Sequence, residues 1–159
     1  MPARLLGHPV HQMLVAFPLG LLGSAAIFDL IHLWRGGDWS LAAYYMIAAG
    51  VVAGLCAAVF GFIDWLAVPA RTRAKTVGAL HACGNVVVLT LFSVSWLLRR
   101  GTPATPPSAA IALGIAGLAL AGVTGWLGGE LVDQLGIGVA PGAHPDAPSS
   151  LKGPAVRTR

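Results

Sequence analysis

The sequence predicts an all-α integral membrane protein, an up-and-down bundle of four spanning helices. Three observations carry that expectation. Of the 159 residues, 56% are hydrophobic and only 10% charged, whereas a soluble domain carries about 25% charged residues. The mean hydropathy is +0.76. The apolar residues fall into four runs, each as long as the ~20 residues that a spanning helix needs, with Gly, Pro or charged residues between them.

The first predicted span covers 9–34. Pro9 suits a first helical turn, Pro18 should bend the helix, and Gly36-Gly37 stops it. The second covers 39–68 and ends at Pro69. The third covers 76–98, before Arg99-Arg100. The turn-rich stretch Gly101 to Pro107 then leads to the fourth span, 108–132. Gly114, Gly117, Gly122 and Gly125 lie in that last run at spacings that let helices approach closely. The domain is therefore expected over 1–135, and the Pro/Gly-rich tail 136–159 is expected to lack its own fold. The first run has only Arg4 before it and outlasts the ~7–15 residues of a signal-peptide core, so no cleavable leader is expected.

Short loops put both termini on one side. That side holds Arg4, Arg71, Arg73, Lys75, Lys152, Arg157 and Arg159, against Arg35, Arg99 and Arg100 on the other. Excess Lys and Arg mark the cytoplasmic side. The expected location is the cell inner (cytoplasmic) membrane, multi-pass, with both termini cytoplasmic. The net charge of +4 comes from scattered flanking residues, not a basic stripe with interleaved aromatics, so nucleic acid is not an expected partner. The lipid bilayer is, together with other membrane subunits or further copies of the chain. Trp34, Trp39, Tyr44, Trp65, Trp96 and Trp126 are read as interfacial aromatics. Cys56 and Cys83 are read as small core residues, too different in depth for a disulfide.

Ionisable groups inside spans are costly and mark functional candidates. Sorted by depth, they form two layers. On the terminal side lie His8 and His11, Asp64, His81 with Asn85, and Glu130, contributed by four different helices. His81 and Asn85 are four apart and share a face, as do His8 and His11 if both are helical. On the far side lie Asp29, His32 and Arg35, for which a local ion pair or capping network suffices.

Several chemistries suit the terminal cluster. Haem b could be held by His11 and His81, with Gly78, Ala82 and Gly84 making room and Asp64 or Asn85 orienting an imidazole. A transition metal could be bound by His8, His11 and His81 with a carboxylate. A proton or ion pathway could use the same groups, as could a structural hydrogen-bonded network. No phosphate-cradling loop and no nucleophile elbow is present, so no catalytic residue is assigned and whether the chain is an enzyme stays open.

Four stretches in order carry a family resemblance. They are Gly7 to Gly20 (GHPVHQMLVAFPLG), Gly61 to Pro69 (GFIDWLAVP), His81 with Asn85, and Gly125 to Val132 followed by Gly136 to Val139. In these the chain resembles a bacterial membrane-protein family catalogued as domain of unknown function 2231, over roughly residues 5–140. Gln12 stands where the family commonly has a proline, and Asp133 where it often has an aromatic. The resemblance implies a four-helix membrane domain, sometimes attached to Rieske-type iron–sulfur domains. It carries His8, His11, Asp64, His81, Asn85 and Glu130 as important positions. The function expected is a membrane redox subunit binding haem b or a metal ion near the cytoplasmic face. The alternative is a non-enzymatic accessory subunit of a larger membrane complex, with pigment binding as a variant.

Overall fold

A computed structural model describes residues 3–140 and 142–152; the expected basic residues Arg157 and Arg159 lie outside them. Four helical segments are long and apolar enough to cross a membrane: Val10–Arg35, Trp39–Leu66, Arg73–Leu98 and Ser108–Gln134. Within them α1 is Val10–Leu14, α2 is Ala16–Arg35, α3 is Trp39–Leu66, α4 is Arg73–Leu98 and α5 is Ser108–Gly129. Sequential helices pack side by side and α2 closes the bundle against α5. The core comprises Leu22, Ala25, Ala43, Ile47, Val88 and Phe92.

The first span departs from a simple bent helix at both expected points. Pro18 has no N–H to give the Leu14 carbonyl, and its ring crowds that carbonyl. The break consequently falls at Val15, between α1 and α2. At its start, Arg4–Leu5 (β1) and His8–Pro9 (β2) pair antiparallel, with Leu5 opposite His8. The two-residue turn Leu6-Gly7 has positive φ at both positions, 51° and 86°, as the tightest hairpin turns require. Helix therefore begins at Val10, and Pro9 precedes it instead of opening it.

The loop between α3 and α4 is held by a reciprocal clasp. Trp65 Nε1 donates to the Lys75 carbonyl at 3.1 Å, Lys75 Nζ donates to the Trp65 carbonyl at 2.7 Å, and the ammonium lies 3.8 Å from the indole centroid. Thr72 caps α4 by accepting from the Lys75 N–H. After α5 the chain takes one π-helical turn, Glu130–Gln134, which Gly136 ends with φ of 65°. The tail from there on forms no element of its own among the described residues apart from a 3₁₀ turn at Ser150–Lys152. Ile137 and Gly138 instead accept bonds from Gln12 and Arg4.

The glycines of α5 divide by direction. A Cβ on Gly117 would lie 2.8 Å from the Phe92 ring, and Gly114 faces Asp29 and Arg99, whereas Gly122 and Gly125 meet nothing within 4 Å. Only the first two serve helix approach inside the bundle. Cys56 and Cys83 also face outward, correcting their expected place in the core. In a bilayer, outward-facing apolar residues lose nothing, because lipid is as apolar as the core.

The far side holds a fully buried ion pair. Asp29 does not pair locally with Arg35. It forms a bidentate ion pair with Arg99, Nη1–Oδ1 2.7 Å and Nη2–Oδ2 2.6 Å, and both residues are 0% exposed. Ser40 donates to Asp29 at 3.2 Å, Ser95 accepts from Arg99, and Arg99 also donates to the Ala110 carbonyl at 3.2 Å. The network thus joins α2, α3, α4 and α5. His32 does serve the expected capping role, its Nδ1 donating to the Gly37 carbonyl at 2.8 Å, and Arg35 stacks on Trp34.

Two predictions follow from this packing. Asp29→Ala strands a buried guanidinium and should destabilise the detergent-solubilised protein by about 3–5 kcal/mol, most of it recovered when Arg99→Met is added. Thermal unfolding followed by circular dichroism measures this, and an unchanged midpoint in the single variant would refute it. Gly117→Ala should cost about 1–3 kcal/mol through overpacking against Phe92, while Gly125→Ala should stay within about 0.5 kcal/mol of the parent; equal effects would show that the two glycines do not differ in orientation.

Candidate functional site

On the terminal side, α1 and α4 bring two histidines together. His11 is the second residue of α1, and His81 lies on α4 two turns in from its start. Their ring centroids are 6.4 Å apart and their planes perpendicular. Each imidazole is held by a backbone carbonyl of another helix. His11 Nδ1 lies 2.8 Å from the Ala57 carbonyl of α3, and His81 Nδ1 lies 2.8 Å from the Thr124 carbonyl of α5. A carbonyl can only accept, so both Nδ1 atoms carry the proton. In the neutral rings each Nε2 then bears a lone pair, the form in which imidazole serves as a ligand.

Small residues make this placement possible. A Cβ on Gly61 would come within 2.8 Å of the His11 ring, and one on Gly128 within 3.1 Å of His81. Both glycines belong to the stretches that carry the family resemblance, and their role is to let an imidazole lie against the helix backbone.

Asn85 completes the site. Its Nδ2 donates to the His81 carbonyl one turn back at 2.8 Å and to His81 Nε2 at 3.2 Å, while its Oδ1 accepts from the Thr124 hydroxyl at 3.2 Å. Thr124 is the functional residue that sequence reasoning missed. As a lone hydroxyl in a Gly/Ala-rich run it gives no periodic signal, although it is the one hydroxyl in the second half of α5.

The other expected members lie elsewhere. Asp64 is seven residues beyond Ala57 on α3, about 10 Å further toward the terminal side, and its Oδ1 accepts from the Ala3 N–H at 2.8 Å. Glu130 is six residues beyond Thr124 and pairs with Arg73 at 2.5 Å. His8 belongs to β2 and is exposed, with Nε2 3.3 Å from the Ser150 hydroxyl. It therefore does not join a three-histidine set. Among the described residues, no three His, Cys, Asp or Glu side chains come close enough to hold a metal ion together.

The donor set can be tested against each expected cofactor. Haem b needs a slot beside the histidines, and the room left by the small residues of α4 is taken. A Cβ on Gly78 would meet the Trp65 indole at 2.8 Å, and one on Gly84 would meet the Thr124 methyl. Gly78 and Gly84 therefore leave no room for a macrocycle on their own faces of α4. With metal–nitrogen bonds of about 2.0–2.1 Å, a centroid separation of 6.4 Å corresponds to two imidazoles on opposite sides of a bound ion.

The geometry and the matched stretches agree with a comparison against known families. A family model described as a predicted membrane protein (DUF2231) matches residues 7–141. The chain belongs to this family. Every side chain of the candidate site in this DUF2231 member, from His11 to Thr124, lies within the matched residues. No curated protein and no solved structure matches the chain.

The tautomers are directly testable. With ¹⁵N-labelled histidine, His11 and His81 should both show a protonated Nδ1 and an unprotonated Nε2. The opposite tautomer in either ring would refute the carbonyl contacts on which the site is built.

Proposed function

We propose that this chain is an integral membrane subunit in which His11 and His81 bind a transition metal ion for electron transfer. The supporting observation is the pair of Nδ1–carbonyl bonds, which hold two imidazoles from α1 and α4 in the ligating tautomer 6.4 Å apart. Two protein nitrogens leave further coordination positions for water or a small anion. Copper or iron would supply redox chemistry there; zinc would be structural. Asn85 would give up its bond to His81 Nε2 on binding. That costs about 0.5–1.5 kcal/mol, which coordination of the ion must exceed.

The same reading sets the bundle in the cytoplasmic membrane with both termini inside. With Arg99 turned inward to Asp29 and Arg73 paired with Glu130, Arg4, Arg71 and Lys75 stand against Arg35 and Arg100, an asymmetry of the sign that the positive-inside rule requires.

A second reading makes the chain an accessory subunit of a larger membrane complex, with the histidines as a clasp between helices. Its support is the closure of Asn85 on His81 and Thr124, which satisfies His81 without any ligand.

Elemental analysis and an absorbance spectrum of protein purified in mild detergent decide between them. The metal reading expects close to one transition metal ion per chain, lost in His11→Ala and in His81→Ala and kept in His8→Ala. Absence of any such ion from the parent protein defeats it, and a stoichiometric partner in the same preparation would then support the accessory role.

A further inference from the structure

The two halves of the bundle repeat each other. Asp29 and Arg99 are 70 residues apart, and the same spacing relates His11 to His81 and the buried Leu22 to the buried Phe92. A second constant spacing relates α3 to α5, through Gly50 and Gly117, Ala57 and Thr124, and Gly61 and Gly128. The contacts repeat with the residues. Gly50 makes room for Leu22 as Gly117 does for Phe92, and Gly61 makes room for His11 as Gly128 does for His81. The bonds from His11 to the Ala57 carbonyl and from His81 to the Thr124 carbonyl are both 2.8 Å long. The first two spans and the last two are thus one hairpin used twice and entered from the same side, which relates the halves by a two-fold axis along the membrane normal. Equivalent residues that meet each other lie on such an axis. Two pairs do so, His11 with His81 and Asp29 with Arg99.

The histidine pair departs from this symmetry at Asn85. Its amide donates to His81 Nε2 at 3.2 Å, whereas its two-fold equivalent is Val15, whose side chain has no N–H to give. Thr124, whose hydroxyl holds the Asn85 oxygen, likewise stands opposite Ala57. We propose that the two histidines form one ligand site on the axis, made unequal by Asn85: His11 Nε2 is open and meets an incoming metal ion first, and His81 Nε2 is uncovered second. The order of binding rests on the metal-binding function proposed above, while the masking of His81 does not. A purely structural clasp would close both rings, and it has no use for an open lone pair on His11.

The test is reaction of the full chain in detergent with diethyl pyrocarbonate, which acylates an unshared imidazole lone pair, with the rate at each histidine read by peptide mass spectrometry. In the parent, His11 should react faster than His81. Asn85→Val installs the residue of the equivalent position and should speed His81 roughly two- to tenfold, as expected for loss of one hydrogen bond, while His11 and the exposed His8 keep their rates. Thr124 retains its bond to the Ala121 carbonyl, so this substitution strands no hydroxyl. Val15→Asn should slow His11 by a similar factor, and the double variant should invert the order of the pair. Equal rates for the two rings in the parent, or an unchanged His81 rate in Asn85→Val, overturn the proposal. So does a variant in which His8, His11 and His81 all speed up together, since that reports general loosening. Titration with Zn²⁺ alone then separates the masking from the metal function. Asn85→Val should bind Zn²⁺ roughly two- to tenfold more tightly than the parent, and equal affinities overturn the binding order. No Zn²⁺ bound by either protein, with the reactivities shifted as expected, defeats the metal function and upholds the masking.

Discussion

The interior of a bilayer supplies no water to polar atoms, and that single deficit organises this molecule. A buried donor is driven to find an acceptor in the protein, and a buried charge to find its opposite. Asp29 and Arg99 meet this demand with two short hydrogen bonds, and Ser40, Ser95 and the Ala110 carbonyl take up neighbouring positions in the same network. Because those groups come from four helices, satisfying one carboxylate fixes the relative positions of all of them at the far side. At the terminal side the same demand is met by neutral groups. The His81 imidazole, the Asn85 amide and the Thr124 hydroxyl bond to one another and to backbone carbonyls, and the His11 imidazole bonds to the Ala57 carbonyl.

The two layers differ in what they leave available. On the far side, the carboxylate and guanidinium are fully enclosed, and charge neutrality is achieved within the pair. On the terminal side, both rings are only partly buried, and the His11 Nε2 lone pair has no protein partner among the described bonds. A lock and a site can thus be told apart by whether ligating atoms are exhausted. The division also separates the roles of glycine in this chain. Gly117 lets helices close on Phe92, whereas Gly61 and Gly128 let imidazole rings lie against helices at the site.

The four spans were legible because length and hydropathy suffice to specify a membrane helix. The spacing of His81 and Asn85 was legible because four residues make one turn. Less was readable where the outcome depended on partners far along the chain. Arg99 sits where a flanking, topology-setting arginine is expected, and nothing local reveals that it turns inward to Asp29, 70 residues away. His8 looked equivalent to His11 until the Leu6-Gly7 turn committed it to a hairpin. Asp64 and Glu130 shared the correct side but not the depth, since six or seven residues along a helix amount to about 10 Å. Depth from helix ends was a coarse ruler because the first span starts inside the level at which α3 ends and α4 begins.

The 70 residues between Asp29 and Arg99 also carry a consequence for biosynthesis. Chains elongate at about 5–20 residues per second, so Arg99 is translated roughly 4–14 s after Asp29. During that interval the first span has reached the membrane-insertion machinery with an acid and without its counter-ion. The ion pair that joins the helices on the far side can therefore close only after the third span has been made.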